Sequence, residues 1–131
     1  MLKMLILFSI FLSGCSLNGI VPRNSKDALR YASEVKEENL VFNSNYQAIA
    51  KCWDEKAEKP SIDFSNATYL NIYSDLGIAE ITVKTTDGYF IFVEVLKVSD
   101  EQSKVNAYGL GQMSKTFIPN WLSIMGACSR A

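Results

Sequence analysis

Three thiols and no histidine set the bounds of the chemistry this chain can do. Cys15 closes an apolar run behind two small residues, as Leu12-Ser13-Gly14-Cys15, whereas Cys52 and Cys128 stand far apart with no C-x-x-C spacing. The missing imidazole removes the commonest general base and every Ser-His or Cys-His arrangement, and no serine has a nucleophile-elbow context. It also disfavours a metal centre, because the usual nitrogen ligand is lacking. Gly109-Leu110-Gly111-Gln112-Met113-Ser114-Lys115 has the glycine content of a phosphate-cradling loop but lacks the spacing of either known fingerprint. It is expected to be a flexible strand exit whose glycines ease close packing. Asp54, Glu55 and Glu58 read as the solvated face of a helix. No enzyme activity, cofactor or metal is expected.

The segment before Cys15 carries the clearest pattern. A basic start at Lys3, an apolar stretch from Leu5 to Leu12, small residues at Ser13 and Gly14, and then a cysteine resemble the type II signal peptide and lipobox of bacterial lipoproteins. A thioether to diacylglycerol requires a thiol, and the peptidase that cuts before it requires small neighbours. The apolar stretch is far shorter than the roughly 18–20 residues that span a bilayer. The alternatives are an ordinary secretory signal with an incidental cysteine, or a buried N-terminal helix. The resemblance implies a signal peptide at 1–14 that is removed, a lipidated tether at 15–26, and a single domain at 27–131. It implies lipidation at Cys15 with Leu12, Ser13 and Gly14 as the recognition residues, and two or more acyl chains suffice to hold a protein on a membrane. Ser16, uncharged where aspartate would retain such a protein at the inner membrane, implies sorting to the outer membrane with the body facing the periplasm, in a Gram-negative host.

Length supports one domain, and composition argues against nucleic acid as a partner. The signal takes Lys3 with it, so 13 basic residues fall by one against 14 acidic ones, and no Lys/Arg block is present to follow a phosphate backbone. With Cys15 acylated, Cys52 and Cys128 remain as a lone pair in an oxidising compartment, and a disulfide between them is expected. Two free buried thiols or a redox site are the alternatives.

Elements follow from periodicity. Ser25-Lys26-Asp27 opens a helix with Ala28, Leu29, Ala32 and Val35 at helical spacing, and Leu40-Val41-Phe42 is a short strand candidate. Asn43-Ser44-Asn45 offers caps for a helix from about Tyr46 to Lys56, with Tyr46, Ile49, Ala50, Trp53 and Ala57 on one face. Beyond Pro60 the period changes to two: strands are expected at Thr68–Tyr73, Ile78–Thr85, Tyr89–Val98 and Lys104–Leu110, with a Thr86-Asp87-Gly88 hairpin turn between the second and third. A C-terminal helix, capped near Thr116 so that Pro119 falls in its first turn, carries Phe117, Trp121, Ile124, Met125 and Cys128 on one stripe. The fold class is α+β: a four-stranded, possibly five-stranded, antiparallel sheet with two helices on one face. The order of elements from Leu40 to Cys128, with Leu40-Val41-Phe42 leading through Asn43-Ser44-Asn45-Tyr46 into a helix bearing Trp53, resembles the helix-grip modules of some outer-membrane assembly lipoproteins; a generic two-layer sandwich is the alternative.

In such a fold the third strand is apolar on both sides. Phe90, Phe92 and Leu96, joined by Tyr108 and by Tyr69 or Tyr73, would form an exposed partner surface, unless the segment Ala28–Phe42 folds back over it. The leading reading is therefore a non-enzymatic binding or assembly lipoprotein with an envelope protein as partner. The alternative is a small periplasmic carrier of an apolar ligand.

Overall fold

A computed structural model describes residues 21–129. Leu12, Ser13, Gly14, Cys15 and Ser16 lie outside the described residues. The elements run α1 (Lys26–Ala32), β1 (Val35–Phe42), α2 (Tyr46–Lys56), β2 (Ser61–Ile62), β3 (Ser65–Asn66), β4 (Thr68–Tyr73), β5 (Ile78–Thr85), β6 (Gly88–Ser99), β7 (Gln102–Gly109) and α3 (Gly111–Cys128). Five strands form one antiparallel sheet in the order β1-β7-β6-β5-β4, and β2 and β3 form a separate hairpin. The class is α+β, as the sequence implies, with the fifth strand present.

Each main element has a local cause. The Asn45 side chain accepts from the Gln47 amide at 2.9 Å and opens α2, whose buried residues Tyr46, Ile49, Ala50 and Trp53 are the stripe read from sequence. The strands alternate so that Ala79, Ile81, Val83, Ile91, Val93, Val95, Val105 and Ala107 point to one face, and α2 and α3 cover it. There Trp53 and Trp121, both fully buried, meet edge to face with ring centroids 5.0 Å apart. The Trp121 indole N–H donates to the Glu58 carbonyl at 2.8 Å. Cys52 on α2 and Cys128 at the end of α3 are joined by a disulfide that closes a separation of 76 residues. It staples the two helices to one another on the same face of the sheet.

Several expectations are corrected. The first helix ends at Ala32, and Val35 begins a strand rather than continuing a helical stripe, because the Glu34 amide donates to the Gly109 carbonyl and starts an eight-residue edge strand against β7. Tertiary pairing with an open strand edge outweighs local helical spacing here. The C-terminal helix begins at Gly111 rather than near Thr116, which puts Pro119 in its interior. The lost hydrogen bond to the Lys115 carbonyl is outweighed by a buried stripe of Ser114, Ile118, Trp121, Met125 and Cys128, spaced four, three, four and three residues apart. Gln112 to Lys115 are therefore helical and do not form a loop that could cradle phosphate. The β2–β3 hairpin has no Asn-Gly or Asp-Gly signature and is not legible in the sequence. Its two-residue turn, Asp63-Phe64, places both residues at positive φ, 53° and 63°. The first contact of the domain also lies further upstream than 27, since Arg23 forms a β-bridge with Tyr89.

Two glycines are required by close approach. A Cβ on Gly88, whose φ is +140°, would stand 2.4 Å from the Arg23 carbonyl oxygen, and one on Gly109 would stand 2.1 Å from the Ser114 hydroxyl oxygen and 2.9 Å from Ile118 Cδ1. Gly109 thus sets how tightly α3 turns back onto the sheet. Gly109→Ala is expected to lower stability by about 1–3 kcal/mol, the usual cost of overpacking a filled core; a urea midpoint equal to that of the parent would show that α3 can shift freely. Replacing both Cys52 and Cys128 by serine is expected to cost roughly 4–5 kcal/mol on the chain-entropy estimate for a loop of this length, read in the same titration, and no change there would mean the staple is idle.

Candidate interaction surface

The face of the sheet opposite α2 and α3 is built in transverse rows, because residues in register on neighbouring strands share a face. The first row is Tyr69, Thr82, Phe92, Tyr108 and Lys36; the second holds Asn71, Glu80, Glu94 and Asn106; the third is Tyr73, Ile78, Leu96, Lys104 and Val41. Helix α1 lies over the first two. Its Leu29 is fully buried in a cluster with Phe92, Tyr108 and Leu110, with Ala32 and Tyr89 packed at the margin. Ser25 caps α1 by accepting from the Ala28 amide at 3.1 Å.

The second row explains why α1 seats where it does. Glu80 and Glu94 stand directly opposite one another on β5 and β6, and like charges so placed repel. Lys26 of α1 donates to Glu80, and Arg30, one turn on, donates to Glu94 at 2.9 Å. The other Glu94 oxygen accepts from the Asn106 side-chain amide at 3.0 Å. Asn106 in turn accepts from the backbone N–H of Asn39, which sits at φ 61° in the bulge of β1. The Arg30 guanidinium also lies over the Phe92 and Tyr108 rings, 5.0 and 5.7 Å from their centroids. Partial burial disfavours the charge on Lys26, but the hydrogen bond and charge of Glu80 win and hold its pKa above 10.5.

The proposed partner residues therefore separate. Phe92 is fully buried and Tyr108 is 3% exposed, stacked on each other under α1, so both are core and the expected open surface at these positions is corrected. The fold-back of the N-terminal segment is what covers them, through α1. Phe90 is on the other side altogether: a bulge between the Val83–Ile91 and Lys84–Tyr89 pairs inserts one residue, which reverses the alternation and packs Phe90 against the α2/α3 cluster. Leu96 alone of the four stays on the uncovered row. Beside it stand Ile78, half-buried like Leu96, and the exposed Tyr73 and Val41 at the two edges. Leu76, in the β4–β5 turn, and Val98 extend the apolar surface at that end of the sheet, 66% and 53% exposed. Sequence alternation marked Leu96 and Tyr73. It missed Ile78 and Val41, whose shared row depends on register across β5 and β1.

On the covered face, the space between sheet and helices is occupied by Trp53, Trp121, Ile118 and Met125, all fully buried, which leaves an apolar cargo no room there without displacing them. Among the described residues no cluster of His, Cys, Asp and Glu suited to a metal ion is found, and no helix is long and apolar enough to cross a membrane. No family model, curated protein or solved structure matches the chain.

The seat of α1 has a pH signature. Burial first, then the hydrogen bond its hydroxyl donates to Glu38 at 2.8 Å, pushes the Tyr108 phenol up from 10.0 to about 12. A group whose pKa is raised on folding contributes stability that is intact below its unfolded value and is lost as pH rises through the folded one. The parent should therefore lose stability between about pH 10 and 12. Tyr108→Phe should lose less across that window in urea midpoints taken at each pH, whereas parallel curves for the two proteins would show that this phenol is not coupled to folding.

Proposed function

We propose that this protein is a lipid-anchored envelope lipoprotein, non-enzymatic, which acts as a binding or assembly module for an envelope protein and presents the row Tyr73–Ile78–Leu96–Val41 as its contact. The lipobox-like segment ending at Cys15 supports the anchor, and Ser16 supports an outer-membrane site facing the periplasm. The observation that carries the binding reading is the third row: among the described residues no helix lies over it, and a mostly apolar strip running from Tyr73 on β4 to Val41 on β1 is left open. Contiguous apolar surface rimmed by polar groups marks contact sites more often than chance exposure does. Lys104, between Leu96 and Val41 in the row, breaks it with one positive charge and favours a partner with an acidic group facing apolar side chains.

The test is in-cell photo-crosslinking from Leu96 and from Tyr73, with Glu55 on the outer side of α2 as control, and intact mass of the purified protein recorded alongside. One envelope protein captured from both strip positions and not from Glu55, and lost on Ile78→Asp with the far-UV spectrum unchanged, is the expected result. Capture independent of position removes the strip as the contact, and an unmodified Cys15 removes the anchor.

A further inference from the structure

We infer that the end of the sheet at which the N-terminal tether enters lies against the bilayer, with Phe64 at the tip of the β2–β3 hairpin entering the headgroup layer. The inference rests on the lipidation of Cys15 proposed above. Phe64 is fully exposed, at 106%, and sits at φ 63° beside Asp63 at 53°. Bulky L-residues avoid that region of the backbone, and Asn or Gly normally fills such a turn. A strained turn that holds an aromatic ring away from its own domain adds nothing to the core. An outlier of this kind, at a tip whose ring packs on nothing among the described residues, points to a role outside the fold.

Backbone pairing shows which end of the molecule carries it. The Ala67 carbonyl, one residue past β3, accepts from the Lys84 amide; Lys84 pairs with Tyr89; and Tyr89 and Arg23 exchange two hydrogen bonds of 2.7 and 3.1 Å. Three strand spacings, about 14 Å, thus separate the root of the hairpin from the tether. Six residue steps from Cys15 to Val21 reach no further than about 22 Å when fully extended, so an acylated Cys15 keeps this end close to lipid. The side chains around it suit an interface. Tyr69, 45% exposed, and Tyr89 flank Lys84, whose ammonium lies 5.7 and 5.6 Å from their ring centroids, and Arg23 is exposed beside them. Amphipathic rings and long cationic stems are the side chains that settle at headgroup depth. Asp63 and Asp87 stand at the same end, so the ring, not net charge, must supply the attraction. The open strip at Leu96, seven residues further along β6 from Tyr89, is then held about 23 Å from this end and away from the membrane.

The experiment uses the purified, lipidated full chain in vesicles of phosphatidylethanolamine and phosphatidylglycerol. With Cys15 acylated and Cys52 bonded to Cys128, a thiol introduced by Ser65→Cys, or by Glu101→Cys in the β6–β7 turn as control, is the single site for a nitroxide. The expected result is a ratio of oxygen to nickel-chelate collisions several-fold higher at position 65 than at 101, falling to the control value when Phe64→Ser is added. A label at 65 as aqueous as that at 101, or one indifferent to Phe64→Ser, overturns the membrane contact and leaves the anchor standing. An intact mass without lipid overturns both.

Discussion

Two carboxylates facing each other across β5 and β6 are the constraint on which the rest of this face depends. Glu80 and Glu94 share a face and a register position, next to the apolar pair Phe92 and Tyr108 one row away. Left open, that arrangement would combine like-charge repulsion with wet aromatic surface. Helix α1 answers both at once: Lys26 and Arg30, one turn apart, neutralise the carboxylates, and Leu29 between them seals the rings. A seven-residue helix has little stability of its own. Its seat is made by the sheet.

From that seat the polarity of the molecule follows. Because α1 must reach Glu80 and Glu94, the chain before it is pinned at Arg23 to the start of β6, where only a residue without a Cβ fits at position 88. The tether therefore enters at the β5–β6 end, beside the root of the β2–β3 hairpin, and the uncovered row lies towards the other end of the strands. On the opposite face the disulfide-linked pair α2 and α3 closes the main core around two tryptophans. Among the described residues α1 seals Phe92 and Tyr108 while no helix lies over the row of Leu96, which is why the binding reading falls there and not on Phe92.

Where local signals were strong, the elements were legible. The Asn45 cap and apolar stripe of α2, the alternation of β5 and the hairpin turn at Thr86-Asp87-Gly88 each have a near-neighbour cause, the cysteine pair follows from the cysteine count, and all correspond to observed features. The misses share a different cause. The limits of β1 and α3 depend on partners far away in sequence, Gly109 for one and the core stripe for the other. Phe90 and Phe92 have the same parity along the strand, yet one extra residue at a bulge sends them to opposite faces, and parity cannot reveal a bulge that leaves no glycine behind.

The sequence by itself determined the fold class and most of the helix and strand types, because composition and short-range periodicity are properties of neighbours along the chain. Only the tertiary structure decided which apolar residues are surface. That depends on cross-strand register and on whether a short, intrinsically weak helix finds charges to pair with, here Glu80 and Glu94, 54 and 64 residues downstream of Lys26 and Arg30. Long-range electrostatic complementarity has no period, so no window along the chain contains it.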